Sequence, residues 1–105
     1  MEIKIEQVLM GLDGTPFTTV VRGGTEVDLT LRAVCINALL SPAVSDERTT
    51  GETKCHRAAL AQTIYAADDS VPVTAEDIVE LKELINQTNP HPLVVASAFG
   101  MLDAN

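Results

Sequence analysis

The chain has 105 residues, of which 46% are apolar, 21% charged and 3% aromatic, and its 15 acidic against 7 basic side chains give a formal charge of -8. One small α+β domain with an aliphatic core fits these figures; intrinsic disorder does not, because the apolar residues recur at regular spacing. The acidic balance also excludes direct binding to nucleic acid or anionic lipid, which requires cations to displace phosphate counterions.

Residues 3–9 open with strict alternation, Ile3 and Ile5 against Lys4 and Glu6, the period of a half-buried strand. Asp13-Gly14 supplies a turn, residues 17–22 are rich in Thr and Val and read as a second strand, and Gly23-Gly24 turns the chain into a short third strand at 26–29. The expected N-terminal unit is an antiparallel meander of two or three strands. It needs helices on one face, since a lone hairpin is marginal in water.

From Thr30 the period becomes helical. Leu31, Val34, Cys35, Ala38 and Leu39 form one apolar stripe, Thr30 is an N-cap, and Ser41-Pro42 ends the helix. A polar loop over 41–51 leads to a second helix that starts at Thr49 or Thr50 and runs to about Ala67, with His56, Leu60, Ile64 and Ala67 on one face; Thr49 with Glu52 fits a capping box. Residues 68–72 break it. Thr74 caps a third helix with Glu76 and Asp77 in its first turn and a buried stripe of Ile78, Leu81, Leu84 and Ile85. Residues 86–92 interrupt the chain, and Pro92 suits the first turn of a final helix over 93–102. A small sheet followed by four helices is thus expected.

The N-terminus is charged at alternate positions, unlike the core of a signal peptide, and the uninterrupted apolar stretches fall far short of the roughly 20 residues of a membrane span. Two cysteines, Cys35 and Cys55, do not make a disulfide framework. These features point to a reducing cytoplasm.

The residues capable of chemistry do not assemble into a motif. Cys35, Cys55, His56 and His91 lack the paired spacings of structural zinc, and Cys35 lies on a core stripe. Cys55 with His91, or Ser97 with His56, would be needed for a nucleophilic hydrolase, yet neither sits in an activating motif. No catalytic, cofactor-binding or metal-binding residue is expected.

Charge is the sharper signal. Residues 68–105 carry 7 acids against Lys82 alone, while residues 1–67 carry 8 acids and 6 bases. In one reading Glu76 and Asp77 complement the helix dipole and Glu80 and Glu83 merely face solvent. In the other, Asp68, Asp69, Glu76, Asp77 and Glu80 form an acidic face that steers a protein partner with a basic surface. The last helix is apolar on more than one side, so Val95, Phe99 and Leu102 either complete the core or form a self-association surface, and homodimerisation stays open.

The succession Leu12-Asp13-Gly14, Asp28-Leu29-Thr30-Leu31-Arg32, Asn37-Ala38-Leu39-Leu40, Val73-Thr74-Ala75-Glu76-Asp77-Ile78 and Pro92-Leu93-Val94-Val95 resembles small acidic proteins of tailed bacteriophages and prophages. The resemblance departs at residues 86–92, where two prolines stand. It implies a phage or prophage origin and a bacterial host cytoplasm, and it brings no assigned site residues. Two functions remain: an accessory protein that binds, and plausibly inhibits, a host factor through its acidic face, or an assembly component such as a tail-assembly chaperone or self-associating subunit that uses the final helix.

Overall fold

The computed structural model describes residues 2–20, 23–41, 50–88 and 91–103. The elements in chain order are β1 (Glu2–Lys4), β2 (Thr18–Val20), β3 (Glu26–Asp28), α1 (Leu31–Leu40), α2 (Gly51–Ala66), β4 (Ser70–Pro72), α3 (Ala75–Thr88) and α4 (Pro92–Asp103). The fold is α+β, with two small antiparallel sheets and four helices.

The alternation at the N-terminus produces a strand, but a short one. Ile3 is fully buried between exposed Glu2 and Lys4, and the chain then turns, with Gln7 Nε2 donating to the Lys4 carbonyl at 2.8 Å. Ile5 and Leu9 remain in the core without belonging to a strand. The expected hairpin forms between β2 and β3, in the register Thr18↔Asp28 and Val20↔Glu26. Its turn uses Gly23 (φ 97°) and Gly24 (φ 82°), backbone angles that side-chain-bearing residues resist.

β1 does not join that hairpin as a meander would require. It pairs with β4, placing Ile3 opposite Val71. Both side chains are essentially buried, so this register puts two aliphatic groups into the core at once. Pro72 pairs with Glu2 at the end of the ladder, where a missing N–H costs little. The segment expected only to break a helix is therefore also a strand. The link from the N-terminus to the hairpin comes instead from Leu9, whose N–H donates to the Leu29 carbonyl while its carbonyl accepts from Phe17.

The helices follow their sequence signals closely. Thr30 Oγ1 accepts from the Ala33 amide, and all five stripe residues of α1 are buried. Thr50 caps α2 by accepting from the Thr53 amide at 3.1 Å; Thr49 and the loop over 42–48 lie outside the described residues. Leu60, Ala61 and Ile64 face inward from α2, but His56 is exposed rather than packed on that face. In α3, Ile78, Leu81, Leu84 and Ile85 are buried as expected, and the helix continues through Thr88 into the segment read as an interruption. Pro92 opens α4, which buries Val94, Ala98 and Leu102.

α1 is the central helix, lying against α2, α3 and α4. Arg32 on α1 fastens the periphery to it. Its amide donates to the Ile5 carbonyl, Nη1 donates to the Tyr65 carbonyl at 3.1 Å, and Nη2 donates to the Asp68 carbonyl at 2.6 Å while pairing with Glu6. A guanidinium at the end of α2 satisfies carbonyls that a helix terminus leaves open and complements its dipole. The Cα radius of gyration is 13.5 Å, close to the roughly 13 Å expected for this length.

Candidate functional site

Because α2 and α3 each pack on α1, their outward sides are left flanking a cleft of about 430 Å³. α3 contributes Ala75, Glu76, Val79, Glu80, Glu83, Leu84 and Gln87 to its lining, and α2 contributes Arg57. Positions 76, 79/80, 83 and 87 recur at helical spacing, so they form one stripe of α3, turned away from its buried face.

Two cross-helix contacts bridge the helices. His56 Nε2 lies 3.0 Å from Asp77 Oδ1, and Arg57 Nε lies 3.5 Å from Glu80 Oε2. Asp77 also closes a reciprocal cap: its Oδ2 accepts from the Thr74 amide at 3.1 Å, and its own amide donates to Thr74 Oγ1 at 3.1 Å. Burial pushes the Asp77 carboxyl up, but the bonds from the Thr74 amide, His56 and the Thr74 hydroxyl, with the His56 charge, outweigh it and hold the group below its ordinary value of 3.8. Arg57 is largely covered, with a side chain only 14% exposed, and its Nε and Nη1 have no hydrogen-bond acceptor. At 3.5 Å the pair with Glu80 is an electrostatic contact rather than a well-formed hydrogen bond.

The expected acidic face is thus partly dismantled. Asp77 is a structural cap and not a free carboxylate, and Glu80 is balanced by Arg57. Asp68 and Asp69 are exposed on the turn before β4 and do not line the cleft; their backbone carbonyls accept from Arg32 and Ile5. Glu76 remains exposed, and Glu83, exposed as its position opposite the buried stripe predicts, joins it along the cleft. Arg57 was missed because its role depends on a contact between separate helices.

The self-association surface needs a correction. Leu102 is fully buried in the core and unavailable to another subunit. Val95 and Phe99 are half-buried, and Phe99 packs against the core with Lys82 Nζ 5.6 Å from its ring centroid. Lys82 is held there by Asp103 at 2.5 Å. Among the described residues, the large apolar side chains that are exposed lie elsewhere: Met10, Leu12, Val20 and Val27 in and around the hairpin, Leu40 and Tyr65 beside the α1–α2 seam, and Val79 in the cleft.

Of the groups weighed for catalysis, Cys35 is buried, its thiol pushed up to about 12 by burial. Cys55 is exposed. His91 is taken up by other contacts, its Nδ1 accepting from the Leu93 amide at 3.2 Å and its ring meeting Phe17 edge-on at 5.2 Å. His56 is turned to Asp77, and Ser97 is half-buried. Among the described residues no three His, Cys, Asp or Glu side chains are gathered to hold a metal ion, and no helix is long and apolar enough to cross a membrane.

No protein-family model, curated protein or solved structure matches the chain.

Proposed function

We propose that this chain is a non-enzymatic accessory protein of a tailed bacteriophage or prophage that acts in the host cytoplasm by binding another protein, with inhibition of a host factor as the outcome. The supporting observation is the pair of exposed carboxylates, Glu76 and Glu83, on the outward stripe of a helix that belongs to the strongly acidic half of the chain. Such a surface accelerates encounter with a basic partner and rejects anionic ones. Immobilised protein in a host lysate tests this. A partner retained at roughly 50 mM salt and released at roughly 500 mM is expected, because exposed charges are screened at high ionic strength. A partner held equally in both overturns the electrostatic reading.

A second reading, an assembly component that associates with copies of itself, is favoured by exposed apolar side chains at the hairpin: Leu12, and Val20 and Val27, which the register places on opposite faces. Its surface would be that hairpin rather than α4. Sedimentation over a wide concentration range is the check; a concentration-independent monomer removes self-assembly.

A further inference from the structure

We propose that the α2–α3 cleft docks one basic amphipathic helix of the partner protein, in which Lys or Arg at positions i and i+7 flank aliphatic side chains at i+3 and i+4. This deepens the binding reading above and rests on it.

Three observations select that occupant. Glu76 and Glu83 are seven residues apart on α3, which at 1.5 Å rise per residue separates them by about 10 Å along the axis. Both are exposed, and neither has an ion-pair partner among the described residues, whereas Glu80 between them faces Arg57. After that pairing, the cleft presents two uncompensated negative charges, one toward each end. Between them lie Val79, 57% exposed, and the Arg57–Glu80 pair, while Ala75 and the buried Leu84 complete the apolar part of the lining.

An exposed valine and a mutually neutralised ion pair between two free carboxylates are complementary to aliphatic side chains between two cations. A helix laid along α3 has the same rise per residue, so its i and i+7 side chains reach both carboxylates while i+3 and i+4 meet Val79. A volume of about 430 Å³ accommodates the few side chains that one face of a helix presents. Phosphate-rich ligands are repelled, and an unbranched polyamine would leave Val79 uncovered.

Fluorescence anisotropy with a synthetic helical peptide tests the assignment. The probe carries Lys at i and i+7 and Leu at i+3 and i+4; the control has the same composition with its lysines moved to the opposite face. The probe is expected to bind, the control to bind at least about fivefold more weakly, and E76Q/E83Q to weaken the probe about fivefold to tenfold. Val79→Ser should weaken it about threefold or more through lost apolar contact. These positions are on the surface, and circular dichroism verifies that each variant folds.

Equal binding of the two peptides, or an unchanged affinity in E76Q/E83Q, overturns the proposal. Displacement of the probe by spermidine at matching concentration, with indifference to Val79→Ser, identifies a small-polycation site instead and also overturns it. A lysate partner that is released by salt but insensitive to E76Q/E83Q rejects the cleft while leaving acidic-surface binding in place. A partner insensitive to salt rejects both.

Discussion

Replacing Asp77 by alanine removes three interactions at once: the acceptor for the Thr74 amide, the contact with His56, and a negative charge in the first turn of α3. Loss of a helix-capping interaction costs about 1 kcal/mol, and a first-turn carboxylate adds about 0.3–1 kcal/mol through the helix dipole. The His56 pair adds less than about 1 kcal/mol, because the imidazole side chain is 58% exposed and screened by solvent. Together these place D77A about 1–3 kcal/mol below wild type at pH 7, or roughly 5–20 °C in Tm for a domain of this size.

The pH dependence sharpens the test. The folded-state pKa of Asp77 lies below its ordinary 3.8, so the contribution of its charge is complete well above that value, from about pH 5, and disappears as pH falls through the depressed value. Urea denaturation followed by circular dichroism should therefore give a wild-type–D77A gap that is present at about pH 5 and narrows toward about pH 2. Coincident midpoints at pH 7 would refute the capping account. A gap that does not narrow in acid would refute its electrostatic part.

The other expectations concern the frame around the cleft. Arg32→Ala should destabilise by about 1–3 kcal/mol in chemical denaturation, since the Tyr65 and Asp68 carbonyls lose their donor; Arg32→Lys should restore only part, because an ammonium cannot span the same acceptors. Ile85→Ala, a deletion at a fully buried position, should cost about 2–5 kcal/mol by the same measurement. A thiol reagent should modify Cys55 rapidly in the native protein and reach Cys35 only on unfolding; rapid modification of both would contradict the buried thiol of α1.

What the sequence revealed was local. Thr30 and Thr74 announce their helices because a cap acts within four residues, and the α1 and α3 stripes are legible because burial repeats with the helical turn. β4 was illegible for the opposite reason: three residues containing a proline carry no period, and their partner lies at the far N-terminus. His56–Asp77 and Arg57–Glu80 join separate helices, so no spacing rule exposes them. The coincidence of Glu76 with Glu83 could have been found from their seven-residue interval. Leu102 could not be assigned from an apolar helix alone, since packing decides which side of such a helix meets the core.

The Ile3–Val71 pairing bears on the order in which the molecule assembles. Its two strands bracket α1 and α2, so the intervening chain forms a long loop whose closure is entropically opposed until those helices have collapsed. The N-terminal strand is therefore expected to pair late, once the helices it spans have come together, and late protection of the β1–β4 amides in pulsed hydrogen exchange would report that order.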